Sequence, residues 1–237
     1  MTSPADLLAA ATVDPAVWAL RPDYRALLVV VEGLHPTPGD ATSEGLLRRA
    51  EELARSALQE QPVDRLPHVA AWREAYRAFG ARPGRTRNSL EALTRRAPSG
   101  LPRVNRLTDI YNAVSVLHQV PVGGEDLDRY DGPPRLVRAT GDEPFDTVAD
   151  GAAVVERPDP GEVVWRDDAG VTCRRWNWRQ CTRTQLRDDT RTALFVLDAL
   201  GPMTDAALLA AADEIVANLA TAGADLTVHR RLLAPEP

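Results

Sequence analysis

Ser99-Gly100-Leu101-Pro102-Arg103-Val104-Asn105-Arg106-Leu107-Thr108-Asp109-Ile110-Tyr111-Asn112 stands where the chain passes from helical to β patterning. Pro98-Ser99-Gly100 interrupts what precedes, and the spacing predicts a helix from about Arg103 to His118. Its apolar seam is Val104, Leu107, Tyr111 and Val114. Asn105, Asp109 and Asn112 recur at spacings of four and three, so they line a different face of the same helix. That face either holds a neighbouring loop by hydrogen bonds or lines a pocket, with Asp109 as an orienting carboxylate.

Upstream, Arg25-Ala-Leu-Leu-Val-Val-Val31 is a short valine-rich run that reads as a central strand buried on both faces. Ser43 is expected to cap a helix over about 44–60, and a second helix follows Pro67 with Val69, Trp72, Tyr76 and Phe79 at helical spacing. A polar turn-rich segment, 80–89, leads into a short helix carrying Leu90 and Leu93. Beyond Pro121 the period changes. Gly123-Gly124-Glu125-Asp126-Leu127-Asp128 reads as a loop, and strands are expected at 135–139, 161–166, 171–179 and 192–198. An alanine-rich helix over 204–221, capped by Thr204, and a strand near 226–233 close the chain. The expected fold class is α+β, a mixed β-sheet with flanking helices, forming one domain over 1–237 with residues 1–20 as an N-terminal extension.

The 237 residues are 44% hydrophobic and 26% charged, enough for a sizeable core. No window approaches a membrane span, and Met1-Thr2-Ser3-Pro4-Ala5-Asp6 lacks the basic start of a secretory signal, so a cytoplasmic location is expected and no membrane partner. Cys173 and Cys181 form no CxxC, and the four histidines form no HxxxH, so neither a metal site nor a metal cofactor is expected. No Walker motif, dinucleotide fingerprint or GxSxG occurs.

Net charge is −6, which argues against DNA or indiscriminate polyanion binding. There is no lysine, so all 28 basic residues are arginine and any phosphate contact uses a guanidinium fork. Residues 1–64 set five arginines against ten carboxylates, residues 73–103 eight against two, and residues 174–191 six against two. Two basic islands in an acidic chain fit a local anionic ligand.

Val171 to Gln185 is the most unusual segment. Read as a strand, it puts Arg174, Trp176, Trp178 and Gln180 on one face and Arg175, Asn177, Arg179 and Cys181 on the other. The two indoles offer a stacking platform for a base, with guanidiniums for phosphates, or else they pack as core beneath a helix. Cys181 is either a thiol whose pKa nearby arginines depress or a small buried residue. Gly123 and Gly124 bring backbone amides within reach of a ligand, or simply serve a turn.

Taken together, the Ser99–Asn112 stretch, Pro121 and Asp126-Leu127-Asp128 resemble the signature of the B3/B4 domain, found in the β subunit of phenylalanyl-tRNA synthetase. The likeness runs over about residues 80–200, and the chain is similar to a free-standing member. The resemblance implies an α+β fold with an editing pocket between its halves, where wrongly attached amino acid, notably tyrosine, is hydrolysed from tRNA. It implies no covalent nucleophile: a positioned water attacks the ester, helped by polar groups and the substrate's ribose hydroxyl. Aligned on Pro121 and Asp126, Gly123 falls where the synthetase domain has a pocket histidine, and Thr182 where it has a glutamate.

Three functions follow as expectations. In the first, a trans-acting deacylase takes the aminoacylated 3′ end of tRNA as partner. Arg179 or Arg175 stabilises developing charge, Gln180, Cys181 or Asn177 holds the water, and Trp176 or Trp178 borders the pocket. Asp109, Asn112, Gly123, Gly124, Glu125 and Thr182 complete its substrate-binding set. The second is a non-catalytic module that binds tRNA or an aminoacyl ligand, and the third an interaction scaffold whose arginines are solvated. The deacylase reading requires Asp109, the Gly123 segment and residues 175–181 to converge on one cavity.

Overall fold

The computed structural model of the chain describes residues 3–221, 223 and 225–235; Met1 and Thr2 of the expected N-terminal extension lie outside them. The N-terminal half holds α1 (Pro4–Ala9), β1 (Thr12–Val13), α2 (Pro15–Trp18), β2 (Arg25–Glu32), α3 (Ala41–Glu60), α4 (Pro67–Ala78), α5 (Ser89–Arg96) and α6 (Arg106–Leu117). Then come β3 (Val122–Asp126), β4 (Arg135–Arg138), β5 (Phe145–Ala149), β6 (Ala152–Glu156), β7 (Val163–Arg166), β8 (Val171–Arg174), β9 (Arg179–Gln180), β10 (Thr192–Ala199), α7 (Asp205–Ala220) and β11 (Thr227–Leu233). The fold is α+β, as expected.

Two sheets carry it. One is antiparallel, in the order β11-β2-β10-β3; the other runs β1-β4-β7-β8-β9 and is mixed because β1 pairs with β4 in parallel. The valine run of β2 sits in the middle of the first sheet, with side chains alternating between two cores. Leu27, Val29 and Val31 join Phe195 and Leu197 of β10 against α3, α6 and α7. Ala26, Leu28 and Val30 join Leu194 and Val196 on the opposite face, against Tyr24, Trp72, Trp176 and the second sheet. The candidate site lies on this second side.

Local chemistry moves several boundaries. Asp40, not Ser43, caps α3: its side chain accepts from the Ser43 amide, and the Ser43 hydroxyl accepts in return from the Asp40 amide. Asn105 caps α6 through the Thr108 amide, so it leaves the polar face, while Val104 falls before the helix and is exposed. Within the expected N-terminal extension, residues 4–18 pack against the rest of the fold: β1 pairs with β4, and Leu8, Val13 and Val17 are buried.

Two further corrections matter more. Gly123 and Gly124 lie in strand β3, paired with Val196 and Phe195 of β10, not in a loop. The expected strand over 171–179 breaks after Arg174. Arg175 (φ +48°) and Trp176 (φ +67°) both take left-handed backbone, reversing the chain so that Arg174 pairs with Arg179 and Cys173 with Gln180. The β5–β6 hairpin, turning at Asp150-Gly151, adds two strands to those expected. Among the described residues, no helix is long and apolar enough to cross a membrane.

Candidate functional site

The turn between β8 and β9 hangs from the core by Trp176. Its indole is fully buried and meets Tyr24 edge-on at 4.9 Å and Trp72 at 5.3 Å between ring centroids. The Asn177 carbonyl accepts from the Ser89 amide (2.9 Å) at the start of α5. Helix α5, the hairpin and the inner face of β3 and β10 thereby enclose a cavity of about 240 Å³. Asn112 and Tyr111 of α6 complete its wall.

Gly123 keeps this space open. A Cβ there would stand 3.1 Å from Gln180 Nε2. Gly124 is closed instead by Tyr111, whose ring carbon would lie 2.8 Å from an added Cβ. The Gln180 amide donates to the Gly124 carbonyl at 3.0 Å and leans towards Glu125 Oε1 at 3.4 Å.

Two buried carboxyls face the cavity. Glu125 accepts from the Tyr130 hydroxyl (2.5 Å) and the Thr184 hydroxyl (3.0 Å); burial raises its pKa above the ordinary carboxylate range despite these donors. Asp198 lies on the same face of the sheet. The Tyr24 hydroxyl donates to its Oδ1 at 2.6 Å and Asn177 Nδ2 to its Oδ2 at 3.2 Å. The side-chain oxygen of Asn177 in turn accepts from the Tyr76 hydroxyl at 3.0 Å. Burial pushes Asp198 up to about 7, so its proton exchanges near neutrality.

Eight of the sequence candidates line this cavity: Asn112, Gly123, Glu125, Trp176, Asn177, Trp178, Arg179 and Gln180. Asp109 does not. Its Oδ1 accepts from the Val104 amide (2.8 Å), and it borders a separate depression beside Asp40 and Arg103, so the expected three-way convergence fails. Gly124 lies beneath Tyr111, and Arg175 turns towards Thr86 (Nη1 to Oγ1, 2.5 Å) and a different hollow with Arg82 and Glu162. Cys181 is wholly buried with Sγ 3.3 Å from the Thr184 hydroxyl, and burial raises its thiol pKa, contrary to an activated thiol. Thr182 stands outside the cavity, its amide bound to the Asp146 carbonyl (2.9 Å).

The indoles do not form a bare platform either. Trp176 is core, and the Trp178 ring already carries the guanidiniums of Arg175 and Arg179 at 4.6 and 4.8 Å. The second basic island is largely neutralised within the fold. Arg174 forks onto Glu162 (2.9 and 2.8 Å), Arg183 onto Asp167 (both 2.8 Å), and Arg179 reaches Glu156 at 2.7 Å. Among the described residues, Arg179 Nε nevertheless remains buried without a partner.

The first island behaves differently. Arg85, Arg87, Arg95 and Arg96 line a groove of about 420 Å³ that shares Ala92 and Trp178 with the cavity. Glu91, fully buried, gathers Arg73 (2.7 Å) and Arg95 (3.0 Å), with Arg87 at 3.7 Å, and so braces this fan from behind. Among the described residues, Arg85 and Arg96 have no acidic partner, and no group of three metal-ligating side chains occurs.

Sequence reasoning missed Asp198, Tyr111 and Trp165 as cavity residues. The signal for Asp198 was present: a lone carboxylate inside the apolar run Ala193-Leu-Phe-Val-Leu-Asp-Ala-Leu200. No curated protein matches the chain. Among solved structures, an N-terminal fragment of the phenylalanyl-tRNA synthetase β subunit from Pyrococcus horikoshii matches with a TM-score of 0.47 and 13% identity, covering 95% of this chain and 54% of that one. The chain thus spans about half the length of that fragment. The family model described as the B3/4 domain matches residues 71–216, more than half of the sequence, and the chain belongs to the B3/4 domain family.

Proposed function

We propose that the chain acts on the aminoacylated 3′ end of tRNA, the cavity taking the aminoacyl group and the arginine groove the terminal phosphates. One observation carries this reading: the cavity and the groove share a wall at Ala92 and Trp178. At about 240 Å³ the cavity falls below the range of roughly 300–1,000 Å³ usual for drug-sized ligands, and so suits a single amino-acid-sized group. Exposed guanidiniums without acidic partners are the groups that recognise phosphate.

Ester hydrolysis needs an acceptor to orient water and a donor where negative charge develops. Gln180 spends its Nε2 on Gly124 and, among the described residues, its Oε1 has no donor. The neighbouring Arg179, which lines the cavity, supplies the guanidinium charge. Asn177, tied at both ends to Tyr76 and Asp198, acts as a positioning residue. The substrate's own ribose hydroxyl, as the family resemblance implies, assists the water.

A panel of mischarged tRNAs incubated with the purified chain tests this. Release of amino acid from at least one, abolished in Arg179→Ala, is the expected result. Inactivity across the whole panel refutes hydrolysis. The second reading, a module that binds the same end without turnover, is favoured by the missing side chain at Gly123 and the placement of Thr182 outside the cavity. Saturable binding of charged tRNA without release supports it.

A further inference from the structure

We propose that the cavity recognises a primary ammonium group of its ligand, and that Asp198 is the residue that pairs with it. The inference rests on the reading that this cavity is the ligand site, and it adds the chemical class of the group held there.

Asp198 is 2% exposed, faces the cavity, and forms no ion pair among the described residues, in a chain with 28 arginines. Of the other deeply buried acids near the hairpin, Glu162 pairs with Arg174 and Asp167 with Arg183, while Glu125 is held by three neutral donors, the Tyr130 and Thr184 hydroxyls and the Gln180 amide. Asp198 instead has neutral donors only, Tyr24 on Oδ1 and Asn177 on Oδ2, with the Trp165 indole N–H also directed at the carboxyl. A carboxylate offers roughly four lone-pair sites, so at least one remains for a ligand. Burying an ionised carboxyl without a cation is costly, and a bound ammonium removes that cost.

The surrounding walls suit the same group. Trp165 and Trp176 line the cavity with Asp198, so the wall around the carboxyl is largely apolar and solvates a charge poorly unless it is paired. Glu125 stands apart on this face of the sheet. It lies opposite Leu194, whereas the Asp198 amide bonds to the Pro121 carbonyl, four residues away along β3, about 13 Å in an extended strand. Only one end of the cavity is therefore assigned to the cation. Its source is either the α-amine of an aminoacyl group or a terminal side-chain amine.

Calorimetric titration of the full chain at pH 8 with leucinamide, N-acetylleucinamide and 1,5-diaminopentane separates these cases. At least one of the two amines is expected to bind about 10- to 100-fold more tightly than the acetylated amide, as a charge-assisted hydrogen bond would give. Leucinamide in the lead assigns the α-amine, and diaminopentane in the lead a side-chain amine. Asp198→Asn is expected to abolish the preference, with the near-ultraviolet dichroism of the tryptophan cluster reporting an intact fold.

Binding of both amines no tighter than that of the acetylated amide to the unaltered chain overturns the proposal independently of any variant. So does absence of amine binding up to millimolar concentration, or a preference lost in Glu125→Gln but kept in Asp198→Asn. A chain that binds amines but deacylates no tRNA refutes hydrolysis and leaves this inference standing. Where leucinamide leads, a chain that deacylates aminoacyl- and N-acetylaminoacyl-tRNA at equal rates refutes this inference and leaves hydrolysis standing.

Discussion

Asp198→Asn should stabilise the protein, and by an amount that grows with pH. In the folded chain burial lifts the Asp198 carboxyl to about 7, against an ordinary value of 3.8. Between those two values the folded state holds a proton that the unfolded state has released, so wild-type stability falls as pH rises through that window. Below pH 4 both states carry the proton and above pH 7 neither does. Three pH units at about 1.4 kcal/mol each give a loss on the order of 4 kcal/mol, complete just above neutrality. Asparagine never ionises and its oxygen still accepts from Tyr24; its NH2 meets the Asn177 Nδ2 donor at a cost that does not vary with pH, so it escapes the pH-dependent loss.

Urea unfolding of both proteins at pH 4.5, 6 and 8 isolates the effect, because titration common to both largely cancels in the difference. The stability advantage of the asparagine variant should widen by several kcal/mol across the series. In thermal scans it should reach about 10 °C at pH 8, taking roughly 2–4 °C per kcal/mol for a chain of this size. A difference that stays flat from pH 4.5 to pH 8, or shrinks, refutes the placement of Asp198 as a buried, cation-free carboxyl.

Trp176→Ala empties a fully buried site between Tyr24 and Trp72 and should cost about 3–5 kcal/mol, read from denaturant midpoints. Gly124→Ala drives a methyl into the Tyr111 ring and Leu186, at 2.8 and 3.0 Å, and should destabilise by about 1–3 kcal/mol in the same assay. Glu162→Gln leaves Arg174 with Glu156 alone (2.8 Å) as its carboxylate and should destabilise by roughly 1.5–3 kcal/mol; addition of Arg174→Met should recover much of that. Arg85→Gln with Arg96→Gln should spare stability yet weaken tRNA binding and flatten its salt dependence, by roughly 0.7 in slope for each phosphate left unneutralised, measured by filter binding over a salt series. Cys173 and Cys181, both buried with raised pKa, should resist a thiol reagent in the native state and react on unfolding.

What the sequence disclosed was mostly local. The valine run of β2, the helix after Pro67 and the Thr204 cap of α7 were legible because apolar spacing and capping act over a few residues. The hairpin at 171–180 was not. Alternation along a continuous strand and along two arms of a tight turn looks alike, and no glycine marked the left-handed pair Arg175-Trp176. Tertiary anchoring of the indole overrides the local preference there. Gly123-Gly124 misled in the opposite sense: two glycines suggest a loop, whereas their missing side chains serve the Tyr111 contact and the open cavity. Of the candidate site, the segment 176–180 was visible through its composition, while Asp198 was hidden as a single acid in a greasy strand.

Suspension of the β8–β9 turn from Trp176 has an evolutionary corollary. The wall bearing Trp178, Arg179 and Gln180 takes its position from an aromatic stack whose members Tyr24, Trp72 and Phe79 never touch the contents of the cavity. A small volume change in that stack tilts the indole, and with it every group the hairpin presents. Selection for a new ligand therefore has a remote dial: variants with altered preference should surface at these three positions as often as among the groups in direct contact.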